Sequence, residues 1–293
     1  MKNKDNRDWK AYNQELVNRG EFYIDPVFLN TWNNEIKDMN HGKEGNPYMY
    51  PNSMISFLAI LHSKSFDYRA LQGIIKTFSK RYYNFPVISY TQICRRVNNL
   101  DVQFKISNSK IIAGVDGSGI KISNRGEWMK KLYSEKKKRG WIKVVVMGDT
   151  KGNIVDVEIG DENFDERISS RNLVKKHSKK IKKLLADGLH DCRDTFNLCK
   201  KLSIEPVIKI RKNASEKANG SMFRAKHVKE YKKLGHDNWV KETGYGMRWV
   251  ATEGIFSAVK RIFGEYVRAT STENMYQEAK LKFWAYSQIK QIV

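Results

Sequence analysis

The hydrophobic period of this chain changes once, near Lys110, and that change limits what it can fold into. Before it, apolar residues recur at helical spacing; after it, they come in short runs rich in valine and isoleucine, divided by turns. "KIIAGVDGSG" is an apolar run that ends on Asp116 and continues into glycines. "WIKVVVMGDTKGNIVDVEIGD" reads as a hairpin, with strands Trp141–Met147 and Ile154–Ile159 around the turn "GDTKGN". "RNLVKKHSKKIKKLLAD" sets Val174, His177, Ile181 and Leu184 on one stripe among lysines, which predicts a basic amphipathic helix running into a short strand that stops at Asp187. A helix over about 191–202, the strand "EPVIKI" and a last helix, "TEGIFSAVKRIFG", follow. The order is strand, strand, strand, helix, strand, helix, strand, an α/β arrangement expected to fill residues 106–293.

Residues 1–105 read differently. The first fifty are polar with scattered aromatics, and "HGKEGNPYMYP" is turn chemistry. Three helices are then expected. "NSMISFLAILHS" is apolar throughout, "DYRALQGIIKTFSK" aligns Tyr68, Leu71, Ile75 and Phe78, and "FPVISYTQICRRVNNL" turns Ile93, Val97 and Leu100 inward. The outer face of the third carries Gln92, Arg95, Arg96 and Asn99, with Ser89 or Thr91 placed to cap it. Glutamine and arginine read base edges in the major groove. This all-helical region is therefore expected to hold a helix-turn-helix-like DNA-binding unit; a plain bundle with a solvated face is the other reading.

The charge points the same way. Lys and Arg number 54 against 32 Asp and Glu, a net +22, which favours polyanionic partners. A basic membrane-surface protein would need an anchor, and no lipidation motif, signal-peptide core or membrane-length apolar run is present, so no membrane partner is expected. Three cysteines without a disulfide pattern suit a reducing compartment. Cys192 and Cys199, on one helix, would stand about 10 Å apart along its axis, too far for one zinc ion. Any metal should be held by oxygen.

Two expected strands end in aspartate, "AGVDGSG" at Asp116 and "LLADGLHD" at Asp187. Ligands of α/β sheets gather beyond the carboxyl ends of strands. If these strands are neighbours, the two carboxylates repel unless a cation lies between them. Either aspartate alone could be an ordinary Asp-Gly turn or a helix cap. Glu253 is the candidate for a third oxygen donor, since it shares a strip of the last helix with Ser257 and Lys260 beside the buried stripe Phe256, Val259 and Phe263.

"ETGYGMRWVATEGIFSAVKRIFGE" resembles the Tyr-Arg-Glu-Lys signature of bacterial and archaeal insertion-sequence transposases of the DDE superfamily. Two residues separate Tyr245 from Arg248 and six separate Glu253 from Lys260, as in that signature; four, where the usual pattern has three, separate Arg248 from Glu253. "AGVDGSGIKISNRGEW" and "KKLLADGLHDC" resemble the first and second catalytic segments of that family, and "WKAYNQELVNRGEFYID" and "YTQICRRVNNL" its N-terminal region. The resemblance spans nearly the whole chain.

It implies a ribonuclease H-like core, a mixed five-stranded sheet with flanking helices, with Asp116, Asp187 and Glu253 as ligands of two Mg²⁺ or Mn²⁺ ions. Tyr245, Arg248 and Lys260 would hold phosphate near the scissile bond. The implied activity is metal-dependent cleavage at transposon ends and strand transfer to target DNA, in a prokaryotic, nucleoid-associated cytoplasmic setting. The partners implied are double-stranded DNA, as terminal inverted repeats and as target, and a second copy of the chain on DNA. Lys136, Lys137, Lys138 and Arg139, the lysines of 175–183, and Lys209, Arg211 and Lys212 would track the backbone, with Trp128, Trp141, Trp239 and Trp249 interleaved. A nuclease of the same fold without joining, or a DNA-binding regulator, are the alternatives; a regulator would be expected to have lost one of the three acids, and all three are present.

Overall fold

The computed structural model describes residues 8–83, 85–123 and 140–292; Trp128 and the basic residues Lys136, Lys137, Lys138 and Arg139 lie outside the described residues. The chain divides into two compact units, one of Met1–Gln103 with Trp284–Val293, the other of Phe104–Phe283.

The first unit is helical. Its helices α1 (Trp9–Ile24) and α2 (Phe28–Asn40) were not legible from periodicity, because α1 buries no residue and α2 only Phe28. The three expected helices follow as α3 (Asn52–Ser63), α4 (Tyr68–Phe78) and α5 (Tyr90–Asn98). On α4, Leu71 and Ile75 are fully buried and Tyr68 and Phe78 half-buried, and the Asp67 carboxylate caps the helix by accepting from the Ala70 N–H at 2.8 Å. Ser89, the first of the two expected caps, caps α5 through the Gln92 N–H. Ile93 and Val97 of α5 have no exposed surface, while Gln92, Arg95 and Asn99 face outward. Arg96 is engaged within the unit. It donates to the Tyr50 carbonyl at 2.5 Å and to Asn52 Oδ1 at 2.7 Å, tying α5 to the start of α3.

The second unit is built on one mixed sheet. Its five main strands are β1 (Ile111–Ile122), β2 (Trp141–Asp149), β3 (Ile154–Gly160), β4 (Ile181–Ala186) and β5 (Glu205–Ile208), in spatial order β3-β2-β1-β4-β5. The β1–β2 and β2–β3 pairs are antiparallel, and β1–β4 and β4–β5 are parallel. A two-residue strand, β6 (Tyr266–Val267), extends the sheet beside the far end of β1. In the turn between β2 and β3, Asp149 Oδ1 accepts from the N–H groups of Lys151 and Asn153, both at 2.9 Å, and Gly152 takes φ +79°. Flanking the sheet are α6 (Glu166–Lys176), α7 (Arg193–Lys201), α8 (Met222–Leu234), α9 (His236–Thr243), α10 (Arg248–Ala251), α11 (Glu253–Phe263) and α12 (Thr272–Ile289), the last divided between the two units. Among the described residues, no helix is long and apolar enough to cross a membrane.

Two elements differ from expectation. The strand through Asp116 does not end there; β1 runs six residues further because β2 pairs with it as far as Lys121, and its glycines stay inside the ladder. The lysine-rich stretch is not one helix. α6 stops at Lys176, where His177 Nε2 and the Lys176 ammonium both lie 2.7 Å from Asp156 Oδ2, and β4 starts at Ile181. The residues from Ile181 on are drawn into the sheet, where Lys183 pairs with Glu205 of β5 at 2.8 Å. A stripe of Val174, His177, Ile181 and Leu184 suits a helix, but burial between two parallel neighbours decides for a strand.

The junction of α10 and α11 lies against β1 and β2, and the absence of two side chains permits it. A Cβ added at Gly148 would fall on the Ala251 carbonyl oxygen and Ile255 Cδ1, and one at Gly114 would lie 2.7 Å from the Ala251 Cβ. Gly148→Ala is therefore expected to destabilise the protein by about 2–3 kcal/mol, because backbone and not a flexible side chain must give way. Urea denaturation measures this, and an unchanged midpoint would mean that the junction does not need its close seat.

Candidate active site

The parallel register of β1 and β4 pairs Gly114 with Leu185, so two residues further on Asp116 stands level with Asp187, just past the end of β4. Neighbouring strands lie about 4.8 Å apart, which brings the two carboxylates to one edge of the sheet. Each is tied to local backbone: Asp116 Oδ1 accepts from the Gly117 N–H at 3.0 Å, and Asp187 Oδ1 from the Leu189 N–H at 2.9 Å. Burial raises the pKa of Asp116 above the usual carboxylate range; Arg248 and the Gly117 amide oppose that rise, and the Asp187 charge adds to it. A buried carboxylate facing another is a place that calls for positive charge.

Arg248 supplies it in this structure. Its Nη1 donates to Asp116 Oδ2 at 3.2 Å and its Nη2 to Glu253 Oε1, so one guanidinium links the acid in β1 to the acid that opens α11. Burial works against the arginine's charge, but Tyr245, Asp116 and Glu253 outweigh it and raise the pKa. Tyr245 sits beside it, with the Arg248 guanidinium 5.8 Å from the ring centroid. The Tyr245 ring packs on Trp239 at 4.9 Å between centroids, and burial raises its hydroxyl pKa. Lys260, two turns along α11 from Glu253, donates to Ser118 Oγ at 2.9 Å, two residues beyond Asp116.

A cleft of about 460 Å³ opens on this edge and is lined by Asp187, Lys209, Arg211, Lys212, Tyr245 and Arg248, among others. Three of the basic residues expected to track a backbone thus stand beside Asp187. Arg211 also braces the loop that follows Asp187: it donates to the Gly188 carbonyl at 2.6 Å and to the Leu189 carbonyl at 3.1 Å. Of the tryptophans, Trp239 is core at 7 % exposure, whereas Trp141 and Trp249 are 40 % and 58 % exposed.

The structure therefore gathers Asp116, Asp187, Glu253, Arg248, Tyr245, Lys260, Lys209, Arg211 and Lys212 around one edge of the second unit. Gln92 and Arg95 belong to α5 of the first unit, and Arg96 is held there by backbone and amide oxygens. Among the described residues, no three His, Cys, Asp or Glu side chains stand together as a ready metal-ligand set. Arg248 accounts for part of that, since it joins Asp116 to Glu253 through itself.

Two residues near the acids went unnoticed in the sequence. Glu166, first residue of α6, lies over Gly117, and burial raises its pKa, with the charges of Asp116 and Asp187 adding to the rise. His190 is 1 % exposed, and its Nε2 is 4.0 Å from Glu166 Oε1. Sequence distance hid both: about fifty residues separate Glu166 from Asp116, and only the β1–α6 contact joins them.

A mixed sheet of this order, with acids at the carboxyl edge of its parallel strands and a glutamate on a helix crossing them, defines a ribonuclease H-like core. The chain belongs to the DDE transposase family: residues 108–288, more than half of its length, match a family described as "Transposase DDE domain", and residues 17–125 match a second family of the same description. Among solved structures, a pre-cleavage Mos1 transpososome aligns at 11 % identity, covering 85 % of this chain and 81 % of that one, with a TM-score of 0.25. The Mos1 mariner paired end complex with Mn aligns at 12 % identity, covering 96 % and 92 %, with a TM-score of 0.26. Scores this low add nothing to the assignment, which rests on the domain match.

Proposed function

We propose that this chain is a DNA transposase that cleaves the ends of its own element and joins them to target DNA, using Asp116, Asp187 and Glu253 to hold two Mg²⁺ or Mn²⁺ ions. The observation that carries the reading is Arg248. One guanidinium accepted by Asp116 and Glu253, beside Asp187, marks a position where these acids take a cation. The donors are all oxygens, which fits hard divalent ions. Bound there, such ions would polarise the scissile phosphate and activate the attacking water or DNA 3′-hydroxyl.

The protein's own work is positioning and charge. Asp116 and Asp187 are fixed by strand register and Glu253 by the seat of α11 on Gly114 and Gly148, so the acids come from rigid elements. Lys209 and Lys212 line the cleft and would hold DNA phosphates on the approach to Asp187. Lys260, anchored on Ser118, and Tyr245 would hold the phosphate nearest the scissile bond. When a divalent cation takes its place between the acids, Arg248 would turn from carboxylate to phosphate, which guanidinium binds in the same two-pronged way.

Gln92 and Arg95 on the exposed face of α5 would contribute to recognition of terminal inverted repeats. The net charge of +22 suits a partner that is DNA throughout the cycle. A transposon has two ends, each needing a site in register, so two copies related by two-fold symmetry would assemble on DNA. A prokaryotic cytoplasm, at the nucleoid, is the setting proposed.

The test is a plasmid bearing the inverted repeats that flank the gene, incubated with the protein and Mg²⁺. Metal-dependent nicks at the repeat ends followed by joined products are expected. Cleavage that never leads to joining would favour a nuclease, and intact plasmid with both Mg²⁺ and Mn²⁺ would overturn the reading.

A further inference from the structure

Glu166 has a position that its role in α6 does not explain. The helix is already capped: Asp165 Oδ1 accepts from the Arg167 N–H at 2.8 Å and from the Ile168 N–H at 3.1 Å. A glutamate in a first turn can serve the helix dipole while pointing into water. This one is only 17 % exposed and turns toward the sheet. It does so over Gly117, directly after Asp116, where a side chain on the strand would overlap the Glu166 carboxylate. Strand β1 is thus bare at the residue where a fourth acid comes in. The Glu166 carboxylate feels the charges of both Asp116 and Asp187, and among the described residues it makes no ion pair with a lysine or arginine.

His190 is the second and independent observation. Both of its ring nitrogens are buried without a hydrogen-bond partner. Burial lowers its pKa to about 4, so the ring is neutral at pH 7. Its Nε2 is aimed at Glu166 Oε1 from 4.0 Å, just beyond hydrogen-bond reach, and it sits three residues after Asp187. A buried, unpartnered imidazole costs free energy unless something settles against it. A small shift of the Glu166 carboxylate toward the ring would satisfy it, in the manner of histidine–carboxylate pairs that orient metal ligands.

We propose that Glu166 is a fourth carboxylate of the cation site, lying on the side of Asp116 and Asp187 away from Arg248, with His190 as its positioning residue. The geometry divides the acids into two groups. Asp116 and Glu253 are already neutralised by Arg248, while Glu166 and Asp187 are not. Asp116 belongs to both groups, so one cation would be shared between Asp116 and Glu253 and another between Asp116, Asp187 and Glu166. Glu166 would then decide how firmly the second ion is held.

This inference rests on the metal-dependent reading above, and the experiment separates the two. Mn²⁺ is titrated into the full chain without DNA, by calorimetry and by electron paramagnetic resonance of free Mn²⁺, for the wild type, Glu166→Gln, Glu166→Asp and Asp116→Asn. The expected result is that Glu166→Gln weakens the weaker of two Mn²⁺ sites by about tenfold or more, with Glu166→Asp in between. Melting in EDTA should show Glu166→Gln at least as stable as the wild type, because a repulsive charge has been removed. Unchanged Mn²⁺ binding in Glu166→Gln, with binding lost in Asp116→Asn, would overturn the role of Glu166 and leave the active-site reading standing. Failure of the wild type to bind Mn²⁺ at all, or binding that survives Asp116→Asn, would overturn the reading on which it rests.

Discussion

Asp187→Asn is expected to lower metal-dependent end cleavage by about a thousandfold or more while leaving binding of end DNA nearly unchanged. The magnitude follows from the loss of a charged metal ligand, about 4 kcal/mol of transition-state stabilisation at roughly 1.4 kcal/mol per tenfold. The substitution is clean for a local reason. In the fold, Asp187 Oδ1 accepts the Leu189 N–H, and an asparagine retains that acceptor and caps a turn equally well. Gly188 and Leu189 remain braced by Arg211. Activity should therefore fall without a change in melting temperature or footprint. Cleavage within tenfold of the wild type would remove Asp187 from the metal site, and parallel loss of DNA binding would give it a structural role instead.

Arg248→Ala is expected to destabilise the metal-free protein by about 2–4 kcal/mol, since it strips the neutralising partner from a mostly buried carboxylate. Asp116 and Arg248 side chains are 18 % and 16 % exposed, so solvent screens the pair only in part; Glu253, at 45 %, contributes little to the loss. The same variant should recover most of that stability in Mn²⁺, because a divalent cation among the acids takes over the work of the guanidinium. The wild type should gain less, for there the ion must first displace Arg248. Thermal melting of both proteins in EDTA and in Mn²⁺ measures the difference of differences. Equal gains would mean that Arg248 and the cation occupy separate places.

Much of the second unit was legible in its sequence. The hairpin Trp141–Gly160 is announced by two apolar runs and an Asp-Thr-Lys-Gly-Asn turn, and Asp187 by the way Leu184–Ala186 stops at a carboxylate. What misled was ambiguity of period. Ile181 and Leu184 fit a helix with Val174 and His177, and only pairing with β1 and β5 makes them strand. The helices α1 and α2 left no trace because they bury almost nothing, and a polar helix carries no hydrophobic period to read.

The sequence by itself determined the order of elements, the excess of positive charge, and that acids close two apolar runs while a third opens a helix. These are properties of neighbours along a chain, and local spacing suffices to express them. Which acids face one another was decided by tertiary structure alone. The register of β1 on β4 levels Asp116 with Asp187, the missing side chains of Gly114 and Gly148 bring Arg248 and Glu253 to the sheet, and the missing side chain of Gly117 admits Glu166. No spacing along the chain predicts that the Arg248 guanidinium turns inward to two carboxylates and not outward to water. That choice depends on how much negative charge the fold has already gathered at one edge of the sheet, and the charge is contributed by residues more than a hundred positions apart.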